Sequence, residues 1–244
     1  MNKAVIFDLD GTIYFGDNLA PHVSDVLKYL KENNYEIIFF TNNSTKSRMT
    51  ILKKLNNLGI DTDISRVYTS SYASIKYLSE NSVANVFLIG SEDFQKELND
   101  FNINVVSETE CDAVVVGLDT NFNYDTISKA LIAITNGKKL IVSNIDKNFP
   151  IENGVLMPGA NAIVGAIIGC SGTEVDCIIG KPNTYLLESI VGDFNLNKNN
   201  IWVVGDGIDS DIAMANNYGC KSFLVHSNNK SLKDLIALIE KENK

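Results

Sequence analysis

The sequence predicts an α/β fold with a mostly parallel sheet, and three observations lead to this prediction. Short apolar runs alternate with stretches of helical periodicity along the whole chain. The first run, Ala4 to Phe7, ends in two aspartates and Gly11. Polar residues also follow several later apolar runs, as expected where ligands lie at the carboxyl ends of parallel strands. We therefore predict a Rossmann-like three-layer core with an inserted second α/β domain.

The individual elements follow from the spacing of apolar residues. The first helix, for example, carries Val23, Val26, Leu27 and Leu30 on one face. Strands are predicted at residues 4–7, 35–40, 67–69, 83–89, 113–116, 140–142, 177–179, 201–204 and 222–225. Helices are predicted at residues 22–34, 46–58, 71–81, 92–101, 124–135, 159–169, 183–191, 212–218 and 232–240. Glycines that commonly end helices follow three of them, at Gly59, Gly137 and Gly219. We expect the strand at 177–179 to return to the first sheet.

Composition and charge restrict the class of protein. The chain has 244 residues, 45% of them hydrophobic, which is ample for a core. Its net charge of -9 argues against a nucleic-acid or anionic-membrane partner. The longest apolar run, 160–170, is too short to span a bilayer. The four cysteines show no Cys-x-x-Cys spacing and no secretory signal precedes the first strand, so we expect free thiols and a cytoplasmic location.

Four polar stretches follow predicted strands and carry the candidate chemistry. They are Asp8-Leu9-Asp10-Gly11-Thr12, Thr41-Asn42-Asn43, Gly180-Lys181-Pro182, and Gly205-Asp206 with Asp209 and Asp211 beyond it. Carboxylates at a strand end can hold a divalent cation, and hydroxyl, amide and lysine donors can bind phosphoryl oxygens. Each stretch alone also fits a solvated turn, a helix N-cap, a surface lysine or an acidic helix start. Their combination in one chain favours the functional interpretation.

The four stretches resemble, in order, the four motifs of the haloacid dehalogenase (HAD) superfamily. The long insertion between the second and third motifs resembles the C2 cap of that superfamily. Four stretches in it are similar to the NagD-like, para-nitrophenylphosphatase-like members of subfamily IIA: Val116-Gly117-Leu118-Asp119, Phe122-Asn123-Tyr124-Asp125, Ser143-Asn144-Ile145-Asp146 and Pro158-Gly159-Ala160. The resemblance implies a catalytic core at residues 1–74 and 178–244 and a cap at residues 75–177.

The resemblance also implies a reaction, the hydrolysis of small phosphomonoesters through an aspartyl-phosphate. Asp8 is implied to be the nucleophile, and Asp10 the general acid and then the general base. The implied Mg²⁺ ligands are the Asp8 carboxylate, the Asp10 main-chain carbonyl and Asp206, while Asp211 orients a metal-bound water. The implied phosphoryl-binding residues are Thr41, Asn42 and Lys181. Asp209 does not fall on the family spacing and receives no role.

In the cap, Asn144 and Asp146 follow a predicted strand and are candidates for contacts with the substrate. An ordinary polar turn is an equally good interpretation of these two residues. His22 and His226 are expected to be surface or helix-start residues, because the implied mechanism has no role for them.

The acid at position 10 favours phosphate esters over carbon–halogen bonds, because an alkoxide leaving group needs a proton and a halide does not. Nucleoside monophosphates and sugar phosphates are the substrate classes that we consider. A phosphotransferase or phosphomutase, and more distantly a non-catalytic metabolite-binding protein, stay open as alternatives. The expected partner is a small phosphorylated metabolite, and the resemblance allows a homodimer.

Overall fold

The structure is a computed structural model that describes residues 3–151, 154–226 and 230–242. The chain forms two compact units. The first unit consists of Met1–Thr41, Met49–Tyr68 and Lys181–Lys244, and the second of Asn42–Arg48 and Thr69–Gly180. Residues 42–48, 69–74 and 178–180, which the resemblance places in the catalytic core, group with the second of these units.

The described strands and helices alternate through most of the chain. The strands are β1 (Lys3–Asp8), β2 (Tyr14–Phe15), β3 (Asn18–Leu19), β4 (Tyr35–Thr41), β5 (Val67–Thr69), β6 (Asn85–Ile89), β7 (Asn104–Val105), β8 (Ala113–Val116), β9 (Lys139–Val142), β10 (Asn148–Pro150), β11 (Leu156–Pro158), β12 (Cys177–Ile178), β13 (Ile201–Gly205) and β14 (Lys221–Leu224). The α-helices are α1 (Val23–Glu32), α2 (Arg48–Asn57), α3 (Ser70–Glu80), α4 (Glu92–Asp100), α5 (Tyr124–Thr135), α6 (Ala160–Ser171), α7 (Tyr185–Asp193), α8 (Ala213–Tyr218) and α9 (Leu232–Glu242). Within the described ranges, no helix has both the length and the apolar character that crossing a bilayer requires.

The sheet of the first unit has the order β14-β13-β1-β4-β5, and β1 lies at its centre. β1 runs parallel to β13 and to β4, and the register sets Phe7 opposite Val204 and Asp8 opposite Phe40. The apolar residues of β1 are completely buried, as expected for a strand covered on both faces. This register brings the carboxyl ends of β1, β4 and β13 side by side.

The core of the first unit lies between this sheet and the helices that connect its strands. Val26 and Leu30 of α1, Leu55 of α2 and Leu235 of α9 all belong to one buried cluster with the sheet residues. Each such side chain contributes about 1.5–3 kcal/mol on burial. The apolar face predicted for α1 is therefore confirmed.

The second unit has its own five-stranded sheet, in the order β12-β9-β8-β6-β7. All its strand pairs are parallel. The four residues of β8 are fully buried, and Ala130 of α5 with Ile163 and Ile167 of α6 packs in the same apolar cluster as this sheet. The expected α/β architecture with mostly parallel sheets is confirmed.

One strand lies in a different sheet from the one predicted. The segment 177–179 was expected to return to the first sheet, but β12 pairs with β9 of the second sheet, Cys177 opposite Ile141 and Ile178 opposite Val142. A two-residue strand contains too little pattern to specify its partner, because pairing depends on residues distant in sequence. Lys181 therefore follows a strand of the second sheet.

Five short strands have no counterpart in the sequence prediction. β2 with β3 and β10 with β11 form antiparallel pairs, and β7 lies at the edge of the second sheet. Each of them has only two or three residues, too few for the period of two to be recognised. The helix ends expected at Gly59 and Gly219 are confirmed, since both glycines have the positive φ of a helix stop.

Candidate active site

An acidic cluster around one lysine lies at the carboxyl end of the first sheet. Lys181 Nζ donates to Asp8 Oδ1 at 2.5 Å and to Asp211 Oδ1 at 2.7 Å. These three side chains are buried, with 5% of Lys181, 7% of Asp8 and 1% of Asp211 exposed. Residues 173 positions apart in the sequence are thus in direct contact. The structure brings together the predicted residues of the first, third and fourth stretches.

Burial and neighbouring charges have opposing effects on the pKa values of Lys181 and Asp8. Burial alone would lower the pKa of Lys181, but the carboxylates of Asp211 and Asp8 raise it well above its usual value. Burial raises the pKa of Asp8, against the opposing effect of Lys181, and the nearby charge of Asp211 raises it further. The ammonium of Lys181 therefore stays charged and compensates two buried carboxylates.

Asp206 stands directly after β13 and, unlike Asp8 and Asp211, is exposed. The loop after β1 passes very close to it: Gly11 has a φ of 84°, and a Cβ at this position would collide with the Asp206 carboxylate. Only glycine combines this left-handed backbone with so close an approach. The Asp10–Gly11 backbone and the Asp206 side chain are consequently neighbours.

Asp10 is exposed, and the sequence did not indicate its contact with Tyr14 or the lysine that packs on the Tyr14 ring. The Tyr14 hydroxyl donates to Asp10 Oδ2 at 3.5 Å, near the outer limit for a hydrogen bond. Lys54 Nζ lies 3.8 Å from the centre of the Tyr14 ring. Desolvation raises the pKa of Asp10, while the positive charges of Lys54 and then Lys181 lower it.

Asn42, directly after β4, is anchored within the second unit together with the two predicted cap residues. Asn42 Nδ2 donates to Asp146 Oδ1 at 2.8 Å, and Asn144 Nδ2 donates to the main-chain oxygen of Asn42 at 2.9 Å. Ser44 Oγ accepts from the Leu118 amide at 3.0 Å and from Asn144 Nδ2 at 3.3 Å. Asn144 and Asp146 thus support the segment that follows β4.

Comparisons with known proteins agree with the predicted motifs. Models of a haloacid dehalogenase-like hydrolase and of a HAD-hydrolase-like family match residues 5–104 and 178–243. The chain is 32% identical over 234 residues to the acid sugar phosphatase of Staphylococcus epidermidis, covering 96% of this chain and 90% of that protein. The chain belongs to the haloacid dehalogenase superfamily.

Solved structures agree with this assignment. The p-nitrophenyl phosphatase from Archaeoglobus fulgidus matches with a TM-score of 0.88 and 32% identity, covering 100% of this chain and 93% of that one. The 4-nitrophenylphosphatase from Thermotoga maritima matches with a TM-score of 0.88 and 32% identity, over 97% of this chain and 90% of that one. The HAD protein is therefore a NagD-like, p-nitrophenylphosphatase-like phosphoric monoester hydrolase.

The carboxylates of this HAD protein fit a hard divalent cation. Asp8, Asp206 and Asp211 each offer an oxygen atom, and these atoms lie within 4.8 Å of one another. Oxygen ligands of this kind suit Mg²⁺. Both Asp211 oxygens already accept hydrogen bonds, Oδ1 from Lys181 and Oδ2 from the Gly207 amide at 3.0 Å. Asp8 and Asp206 are therefore the better candidates for direct ligands.

The remaining predicted residues are placed as follows. Thr41 is buried at the end of β4, in the strand beside Asp8. Asp209 is exposed in a π-helical turn, and Asp211 lies at the buried side of the same turn. His22 is the N-cap residue directly before α1, and its Nδ1 lies 3.8 Å from Asp25 Oδ2, outside the acidic cluster.

Sequence reasoning missed Tyr14 and Lys54 in this HAD protein, although a signal for Lys54 was present. Lys54 lies three residues after Ile51 of α2 and four residues before Leu58, the residue that follows the helix end, so it shares the spacing of the apolar face. A lysine on such a face packs its stem against apolar residues and keeps its charged end at the edge of that face. Tyr14 had no comparable signal, because its contact depends on the path of the loop after β1.

Proposed function

We propose that this HAD protein is a Mg²⁺-dependent phosphatase that hydrolyses small phosphomonoesters through an aspartyl-phosphate on Asp8. The observation that carries the proposal is the cluster of Asp8, Lys181 and Asp211 beside the exposed Asp206. Such a cluster offers a carboxylate nucleophile, a fixed positive charge and oxygen ligands for a cation within one small region.

Asp8 is the proposed nucleophile because it ends the central strand and its position is fixed by Lys181. One Asp8 oxygen forms a bond to phosphorus while the bond from phosphorus to the ester oxygen breaks. The Lys181 ammonium offsets the negative charge that the carboxylate and the phosphoryl group bring together.

Mg²⁺ would be held by the carboxylates of Asp8 and Asp206 and by the main-chain carbonyl of Asp10. Gly11 supports the last assignment, because it keeps this stretch of backbone against Asp206. When bound, the cation supplies positive charge that lets an anionic nucleophile approach an anionic phosphoryl group. Asp211 holds Lys181 and the Gly207 amide in place and thereby keeps the turn that follows Asp206 in position.

Asp10 is the proposed acid and base. It gives a proton to the ester oxygen as that oxygen leaves, and the resulting carboxylate takes a proton from the water that attacks phosphorus. The Asp8 oxygen–phosphorus bond breaks in this second step, so inorganic phosphate is released and both aspartates return to their starting states. The exposed position of Asp10 supports a role at the ester oxygen rather than within the buried cluster.

Thr41, Asn42 and Lys181 are proposed to bind the phosphoryl oxygens. The role of Asn144 and Asp146 as substrate-binding residues stays a prediction, and their hydrogen bonds support an indirect role in orienting Asn42. We further propose that the second unit is the C2 cap.

The substrate class is proposed from the relatives. The acid sugar phosphatase of Staphylococcus epidermidis supports sugar phosphates, and the Archaeoglobus fulgidus phosphatase supports p-nitrophenyl phosphate as an assay substrate. Nucleoside monophosphates stay in the panel of candidates. A cytoplasmic location, which the free thiols favour, and a homodimer stay parts of the proposal.

The test measures phosphate release from p-nitrophenyl phosphate with Mg²⁺ for the wild type, Asp8→Asn and Asp10→Asn. We expect kcat to fall at least about 100-fold for Asp10→Asn, the lower range for a lost acid–base group, and further for Asp8→Asn. Near wild-type turnover in either variant would show that the assigned role is wrong. Adding sugar or nucleoside acceptors separates hydrolysis from phosphotransfer, because a transferase would form a new ester at the expense of free phosphate.

A further inference from the structure

The Asp10 carboxylate is held from one side by a residue of its own loop. Within residues 3–151, 154–226 and 230–242, the Tyr14 hydroxyl is the one hydrogen-bond donor to this carboxylate, and it reaches Oδ2. Tyr14 itself is fixed, with 1% of its surface exposed. The Gly11 amide donates to the Tyr14 main-chain oxygen at 2.9 Å, and the Tyr14 amide donates to that of Leu9 at 3.2 Å. The hydroxyl therefore has little freedom to leave Asp10.

A positive charge from α2 lies against the ring of Tyr14. Lys54 Nζ lies 3.8 Å from the Tyr14 ring centre, well within the range of a cation–π interaction. Its nearest acidic side chain is Asp17 at 3.9 Å, which is fully exposed and therefore a weak competitor. Tyr14 therefore contacts Asp10 through its hydroxyl and Lys54 through its ring.

We propose that Tyr14 and Lys54 are positioning residues that orient the Asp10 carboxyl group for proton transfer to the leaving group. This inference rests on the proposed role of Asp10 as acid and base. The Tyr14 hydroxyl occupies Oδ2, which leaves Oδ1 to carry the proton that is given to the ester oxygen. Lys54 holds the plane of the Tyr14 ring, and with it the position of the hydroxyl.

The chemistry of the leaving group gives a readout that a purely structural role would not change. A p-nitrophenolate leaves readily without protonation, whereas an alkoxide leaves only with a proton from an acid. The first chemical step governs kcat/KM, so poor orientation of the acid lowers kcat/KM for an alkyl phosphate far more than for p-nitrophenyl phosphate. General damage to the site would lower both values together.

The experiment compares kcat/KM for glycerol phosphate and p-nitrophenyl phosphate in Tyr14→Phe and Lys54→Met. Both variants keep the approximate volume of the side chain and remove only the hydroxyl or the charge. We expect a loss of about tenfold or more with the alkyl ester and less than about threefold with the aryl ester, a fraction of the effect of losing the acid altogether. Lys54→Arg should recover most of the loss, since a guanidinium also stacks on an aromatic ring.

Lys53→Met is the matched control, because Lys53 is an exposed lysine on the same helix and carries the same charge. Both its kcat/KM values should equal those of the wild type. Equal losses with the two esters in Tyr14→Phe and Lys54→Met, or no loss, would overturn the inference.

Asp10→Asn measured in parallel separates the inference from the function on which it rests. If Asp10→Asn loses alkyl-ester kcat/KM selectively and the Tyr14 and Lys54 variants do not, only the positioning role is wrong. If Asp10→Asn shows no such selectivity, the acid role of Asp10 is wrong as well.

Discussion

Removing the ammonium of Lys181 should destabilise the folded protein as well as inactivate it. Lys181 is buried and bridges the carboxylates of Asp8 and Asp211 at 2.5 Å and 2.7 Å. In Lys181→Met these two carboxylates lose their compensating charge, and loss of one partner from a buried ion pair costs about 3–5 kcal/mol. At about 2–4 °C per kcal/mol for a chain of this size, Tm should fall by about 6–20 °C.

The destabilisation should depend on pH in a defined direction. Burial already raises the pKa of Asp8, so the folded protein binds this proton more readily than the unfolded chain does. The stability that comes from protonated Asp8 is present at low pH and is lost as the pH rises through the raised pKa of Asp8. The charged form of Asp8 is less stable without Lys181, so the difference in Tm between the wild type and Lys181→Met should widen as the pH rises through the raised pKa of Asp8.

Thermal unfolding followed by circular dichroism in EDTA measures this effect without a contribution from bound metal. Lys221→Met is the matched control, because Lys221 pairs with Glu242 near the surface and such pairs contribute about 0–1 kcal/mol. Adding Asp8→Asn to Lys181→Met should recover part of the lost stability but none of the activity. An unchanged Tm in Lys181→Met, or no recovery in the double variant, would refute the reasoning.

Three further predictions concern the loop, the second unit and the metal. Gly11→Ala should cost about 1–2 kcal/mol of stability from its left-handed backbone alone, which thermal unfolding measures. It should also abolish most phosphatase activity, measured as phosphate release, because its Cβ displaces the Asp206 carboxylate. Asp146→Ala should raise KM for p-nitrophenyl phosphate about two- to tenfold, because it removes one hydrogen bond to Asn42. An unchanged KM would argue against a role of Asp146 in orienting Asn42. Chelation with EDTA should remove activity and Mg²⁺ restore it, and Asp206→Asn should raise the half-maximal Mg²⁺ concentration at least about tenfold; activity that survives chelation would exclude this metal role.

The acidic cluster could be predicted from the sequence because its members follow buried strands. Asp8 and Asp206 come directly after the apolar runs of β1 and β13, and parallel strands in register bring such positions together. Lys181 could be predicted as a family-like motif residue, but the path of the chain that brings it to the cluster could not. The strand before it is only two residues long, and its pairing with β9 depends on tertiary contacts.

The contacts around Asp10 are features that local sequence patterns cannot predict. Tyr14 reaches Asp10 because the loop after Gly11 turns back on itself, with the Gly11 amide bonded to the Tyr14 oxygen. Lys54 approaches the same ring from a helix about 40 residues later, and no spacing rule relates the two. The segment after Thr41 is a similar case, since the partner of Asn42 is 104 residues away.

The central claim is that Asp8 becomes phosphorylated during turnover, and chemical trapping tests it most directly. Asp10→Asn is mixed with p-nitrophenyl phosphate and Mg²⁺, quenched, and reduced with borohydride, which converts an aspartyl-phosphate to homoserine. The aryl leaving group departs without an acid, whereas hydrolysis of the intermediate lacks its base, so the intermediate should accumulate. Mass spectrometry of the peptides should find homoserine at position 8. Homoserine at another aspartate, or unmodified Asp8 after a measured burst of p-nitrophenol, would contradict the account.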